Sequence, residues 1–408
     1  MRRAVLLLLL GGLILQGCGS ADVPTTEPTV MTTAEPTLPP ETTIPPTTLP
    51  AETEPPETTL PPDPVLERME EMSLRQLVGQ LFIVAPEALT PGRWHVTGVD
   101  GDLLENLERY PVGGIILFGD NIDSPEQVRS FTCQLQEASD IPLFLAVDEE
   151  GGPVARLANS GGFDLPRYHS AAAVGREGAL AAVQMGLTIG GYLKEYGFNL
   201  NFAPVADVFT NPDNRVIGNR AFSADPVTVA HMADGVARGL RHQGIIPTFK
   251  HFPGHGDTTE DSHYGIAVSH KTAEEMRTCE WLPFEKAGEL DCVMVGHIAV
   301  PAITGDLTPA TLSDAVVTGV LREELGFEGL IITDSMAMGA ITEGWSSGEA
   351  ALAALRAGCD LILMPEDLPE AFEAVVQAVE DGTLPLTWLT ERVERILRFK
   401  TANGLWGT

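Results

Sequence analysis

Eight short apolar runs recur along the chain, at 81–84, 114–118, 143–147, 199–205, 245–249, 292–295, 330–333 and 361–364. Longer stretches with mixed apolar and polar positions separate them and read as amphipathic helices. The runs are almost continuously apolar instead of alternating, which predicts parallel strands buried on both faces. Strand followed by helix, eight times over some 300 residues, predicts an α/β fold of the (β/α)8 TIM-barrel type. A doubly wound open sheet stays open as the alternative on pattern alone.

The polar positions sharpen this picture where the runs end. Their carboxyl edges read Gly119-Asp120-Asn121, Asp148-Glu149-Glu150, Asp207, Lys250-His251, Gly296-His297 and Asp334-Ser335. In a barrel these edges share one mouth, the end where barrel enzymes place their chemistry. No Gly-rich phosphate loop follows the first run and no H-E-x-x-H is present, so nucleotide binding and zinc proteolysis gain no support.

The densest polar edge is 250–263, K-H-F-P-G-H-G-D-T-T-E-D-S-H, with one Lys, three His, two Asp and one Glu in fourteen residues. Structural need does not explain such a set, because these side chains are rarely buried without partners. Gly254 and Gly256 are expected to give this loop freedom to move.

The start of the chain has a different composition. Met1-Arg2-Arg3 followed by the apolar stretch 4–15 reads as a targeting segment too short to span a bilayer. Leu15-Gln16-Gly17-Cys18 resembles a bacterial lipobox, which implies a signal peptide over 1–17 and a lipidated Cys18. Thirteen of the 31 prolines fall between 20 and 64, among Thr and Glu. That stretch cannot bury enough surface to offset its conformational entropy, so 18–64 is expected to be a disordered Thr/Pro-rich tether. Residues 65–408 then form one catalytic domain, held outside the cytoplasm on the cell membrane.

A net charge of −32 argues against nucleic acid or anionic lipid surfaces as partners. The cysteines other than Cys18 (Cys133, Cys279, Cys292, Cys359) show no C-x-x-C spacing, so a zinc site is not expected, and the sequence indicates no other metal or organic cofactor. Cys292 and Cys359 open apolar runs and read as small core residues.

Three features point to chemistry on sugars. Asp334 ends a wholly apolar run that would hold a carboxylate rigidly. Asp261 and His263 are two residues apart, and a carboxylate in reach fixes an imidazole tautomer and raises its pKa. Asp148, Arg156, Lys250 and His251 supply donors and acceptors suited to hydroxyls. A carboxylate nucleophile with a separate proton donor is the equipment of retaining glycoside hydrolysis, where the usual donor is a second carboxylic acid. Taken singly, Asp334 also suits a helix cap and His263 a loop residue bonded to backbone.

The motifs A-V-D-E-E-G-G (146–152), N-F-A-P-V-A-D-V (201–208), I-G-N-R-A-F-S (217–223), 250–263 and I-I-T-D-S-M (331–336) together resemble glycoside hydrolase family 3. Among its members the chain resembles the single-domain β-N-acetylhexosaminidases, in which an Asp-x-His dyad replaces the Glu donor of the β-glucosidases. The resemblance implies Asp334 as nucleophile, His263 as acid and then base, and Asp261 as its orienting partner. It implies Asp148, Arg156, Arg220, Lys250 and His251 as residues that hold the terminal sugar. His297 is expected to face the mouth in a supporting role. Pro153, where the family often has Arg, and Tyr264-Gly265-Ile266-Ala267 depart from the pattern and bear on loop shape and aglycone preference. The chain ends soon after the eighth helix, so the proton donor is expected from the barrel's own loops. A monomer that removes terminal N-acetylglucosamine from peptidoglycan fragments or chitooligosaccharides is the expectation. A phosphorylase, since histidine does not repel an incoming phosphate, a β-glucosidase and a non-catalytic carbohydrate-binding lipoprotein remain as alternatives.

Overall fold

The computed structural model describes residues 63–260 and 265–406. The expected signal peptide, Cys18 and almost all of the tether therefore lie outside the described residues, as do Asp261 and His263.

All eight apolar runs are strands: β1 (Phe82–Val84), β2 (Gly114–Leu117), β3 (Phe144–Val147), β4 (Leu200–Asn201), β5 (Ile246–Phe252), β6 (Cys292–Val295), β7 (Leu330–Thr333) and β8 (Ile362–Leu363). Each pairs in parallel with its neighbour in sequence, and β8 returns to pair with β1, Phe82 opposite Ile362. A parallel bridge between Ile332 and Leu361, with Leu361 N–H donating to Ile331 O at 3.1 Å, joins β7 to β8 and closes the ring. The open-sheet alternative is thereby excluded. Closure leaves the barrel no unpaired strand edge, and with side chains filling its interior and helices covering its outside every residue of the eight strands is buried.

Helices wrap the ring, and their starts are written in the sequence. Pro125–Glu137, Pro226–His242 and Leu368–Glu380 each have proline in the first turn, where the missing N–H costs nothing. Ser124, Asp225 and Asp367 precede them, each accepting a hydrogen bond from the backbone N–H three residues on.

Two strand boundaries differ from the sequence expectation. β4 stops at Asn201 because Pro204 has no N–H for the ladder, leaving Val205 with only an isolated bridge to Lys250. β5 runs on to Phe252, so Lys250 and His251 belong to the strand itself. Cys292 and Cys359 are fully buried, as their apolar surroundings imply. Among the described residues no helix is long and apolar enough to cross a membrane.

Candidate active site

The carboxyl ends of the strands surround a cavity of about 320 Å³. Ile116, Phe202, Met294 and Leu363 supply apolar surface, while three cations (Arg156, Arg220, Lys250) face three carboxylates (Asp148, Glu150, Asp334). His251, His255 and Ser335 add to the polar lining. All five expected sugar-holding residues and the expected nucleophile thus meet in one place, although they come from four different strand ends.

Lys250 is the hub. Its Nζ donates to Asp148 Oδ1 at 2.7 Å and lies 2.8 Å from Glu150 Oε1. Arg220 reaches the same Glu150 as a fork, Nε to Oε2 at 2.9 Å and Nη2 to Oε1 at 2.7 Å. Burial pushes Glu150 up, but Lys250 and Arg220 more than offset it and bring its carboxyl down to about 2. Burial likewise pulls Lys250 down while Asp148 and Glu150 raise it, with a net rise. Arg156 lies 3.8 Å from Asp148 and stacks 5.4 Å over the Phe118 ring. Its Nε is buried and has no hydrogen-bond partner among the described residues, a donor available to a ligand oxygen.

A second network starts from the fully buried Asp207. It accepts from His251 Nδ1 at 2.7 Å and from the backbone N–H of His255 at 2.6 Å. The carboxylate fixes the proton of His251 on Nδ1, so Nε2 is the nitrogen left for a ligand. His255 Nδ1 lies 2.7 Å from the Thr258 hydroxyl, and burial pushes this ring down despite the nearby Asp207. The Lys250–His251 peptide is cis.

Asp334 follows β7, its N–H donating to Val295 O at 2.9 Å and its Oδ1 accepting from Ser335 N at 2.8 Å. It is enclosed by protein yet partly open to the cavity. Burial pushes its carboxyl up, but His251, His297, the Ser335 N–H and Lys250 outweigh it and hold the group below its ordinary value. Glu150 and Asp334 are therefore both pushed towards the anion. That is the state a nucleophile or a ligand clamp needs, and the opposite of a proton donor.

Three findings depart from the sequence reading. His297 does not line the cavity; it is fully buried beside Asp334. Gly254 and Gly256 do not loosen the loop. A Cβ on Gly254, at φ +126°, would lie 2.6 Å from Glu280 Cγ, and one on Gly256 would lie 2.0 Å from Val208 O. Both glycines permit close packing, so the loop is tightly seated up to Thr258. Glu150, Asp207 and His255 were not singled out, although the first two stand at strand ends and His255 lies inside the dense polar segment. Among the described residues no group of three or more His, Cys, Asp or Glu side chains is arranged to hold a metal ion.

A family model, the glycosyl hydrolase family 3 N-terminal domain, matches residues 73–399. A beta-hexosaminidase of Hydrogenovibrio crunogenus is 38% identical over 283 residues, 68% of this chain and 78% of that protein. Beta-hexosaminidase A of Pseudoalteromonas piscicida is 32% identical over 334 residues, 75% of this chain. The chain spans 56% of that relative's length. A solved family 3 beta-N-acetylglucosaminidase from Paenibacillus sp. strain FPU-7 superposes with a TM-score of 0.75 at 35% identity, covering 83% of this chain and 64% of that one.

Proposed function

Since this chain belongs to glycosyl hydrolase family 3, we propose that it is a retaining exo-β-N-acetylhexosaminidase that removes terminal N-acetylglucosamine from peptidoglycan fragments or chitooligosaccharides. The observation that carries this reading is Asp334, a carboxylate held as the anion at the wall of a cavity whose charges balance when it is counted. Three cations against three carboxylates suit a neutral sugar, whose hydroxyls can bridge them. The names of the hexosaminidase relatives, and of the solved beta-N-acetylglucosaminidase, support N-acetylglucosamine as the sugar.

In the first step Asp334 attacks the anomeric carbon as the glycosidic C–O bond breaks, and His263 gives its proton to the departing oxygen. Asp148, Glu150, Arg220, Lys250 and His251 hold the ring so that the carboxylate meets C1. In the second step His263, oriented by Asp261, takes a proton from water, which attacks C1 and releases Asp334. The dyad suits the site because Glu150 and Asp334 are both pushed away from the donor state. Two inversions leave the configuration at C1 unchanged. The lipobox-like start supports a reaction outside the cell membrane, on a tether ending in lipidated Cys18.

Proton NMR of the first-formed product from an aryl β-N-acetylglucosaminide tests this directly. The β-anomer is expected, with no glycosyl phosphate when phosphate is added. An α-anomer contradicts the double displacement, and a sugar 1-phosphate makes the protein a phosphorylase.

A further inference from the structure

His297 stands between two oxygens whose hydrogen bonds fix its protons. Its Nδ1 lies 2.8 Å from the Thr311 hydroxyl oxygen, and its Nε2 lies 2.8 Å from the Ser335 carbonyl oxygen. The Thr311 hydroxyl in turn reaches the Gly296 carbonyl at 2.9 Å and the Val295 carbonyl at 3.2 Å. A hydroxyl has one proton. Given to a carbonyl, it leaves Thr311 as the acceptor from Nδ1–H. Given to His297, it leaves the Gly296 carbonyl against bare lone pairs in a site with no exposed surface, since Val295 O already accepts from Asp334 N–H. Ser335 O is a pure acceptor, so Nε2 must carry a proton as well.

On the reading that Asp334 attacks the sugar, we infer that His297 is held as a doubly protonated imidazolium and acts as a positioning residue for that carboxylate. The ring touches Ser335 O, one residue from Asp334, and its charge favours the Asp334 anion. Among the described groups, Lys250, His251 and His255 also act electrostatically on Asp334, and Asp148, Glu150, Arg156 and Arg220 share its cavity. Lys250 is already committed to Asp148 and Glu150, whereas both ring nitrogens of His297 face neutral oxygens and the ring acts on Asp334. A fixed cation offsets the burial of the nucleophile before attack. It also stabilises the carboxylate as it departs from the glycosyl-enzyme in the second step.

The test is nitrogen-15 NMR of histidine-labelled full-length protein, with the His297 signals assigned by their loss in His297→Gln and their displacement in Thr311→Val. Both ring nitrogens are expected to be protonated from about pH 6 to about pH 9. A ring with one bare nitrogen across that range overturns the inference, and the wild-type spectrum decides this even if His297→Gln folds poorly. In folded His297→Gln, kcat/KM should fall about tenfold near pH 5 and by much less near pH 8, with KM almost unchanged. An equal loss at every pH would mark a packing role only. A protein with a doubly protonated ring but no glycosidase activity would instead remove the reading of the reaction and leave the ring's state standing.

Discussion

Glu149 and Glu150 show what one residue's environment decides. They are identical neighbours on a short extended segment, so their side chains point to opposite sides. Glu149 is turned into protein, accepting from Leu157 N at 2.9 Å, Ala158 N at 2.9 Å and the Tyr192 hydroxyl at 2.8 Å, and burial pushes its carboxyl up. Glu150 is turned to the cavity and held by Arg220 and Lys250. The sequence marks both as strand-end acids but cannot say which faces the ligand, because the deciding cations lie 70 and 100 residues away. The same distance hid Asp207, whose partner His251 is 44 residues on. Lys250 offers the sharpest prediction at this scale. Lys250→Met leaves Asp148 and Glu150 without their shared ammonium, so unfolding in urea should show a loss of about 3–5 kcal/mol. Glu150 also gives the sign of the acid response. Its folded value lies below its ordinary 4.5, so its contribution is complete above that value and is lost as pH falls towards about 2.

Elements were legible wherever periodicity and caps spoke, and their ends were not. β5 was read as stopping before Lys250 because lysine and histidine look like loop residues; ion pairs with Asp148, Glu150 and Asp207 let the strand continue. The glycines after it were read as hinges because the contacts that demand them, Glu280 and Val208 O, are supplied by other parts of the chain. The helix Leu386–Ala402 carries a further case at the opposite end of the barrel. Its Lys400 is fully buried, donating to Gln80 Oε1 at 2.9 Å and Gly113 O at 3.0 Å, 4.6 Å from the Phe144 ring. Burial pushes the amine from 10.5 down to about 7. Between those values the unfolded chain binds a proton that the folded one does not, so this group makes stability rise with pH across the interval and level off below it. The slope from one such group reaches about 1.4 kcal/mol per pH unit. Urea midpoints of wild type and Lys400→Met from neutral to alkaline pH should diverge, with the rise smaller in the variant. Parallel curves would contradict it.

At the scale of the whole molecule the strand-helix repeat favours the ring over an open sheet, since eight covered parallel strands close most simply on themselves. Which strand ends converge then follows from closure, and that is how Asp148, Arg220, Lys250 and Asp334 come to share one cavity. The sequence expectation of a lipid-anchored tether makes its own prediction. Replacing Cys18 by Ser should move the protein from the membrane fraction to the soluble one in a bacterial host, with kcat/KM unchanged because the cavity belongs wholly to the domain. An unchanged membrane fraction would count against the anchor. The central claim, that Asp334 forms the bond to the sugar, is tested most directly by trapping that bond. Incubation with a fluorinated N-acetylglucosaminyl fluoride, followed by intact mass measurement and peptide mapping, should show one added sugar on Asp334 and none in Asp334→Asn. A label on any other carboxylate, or labelling that persists in Asp334→Asn, would contradict it.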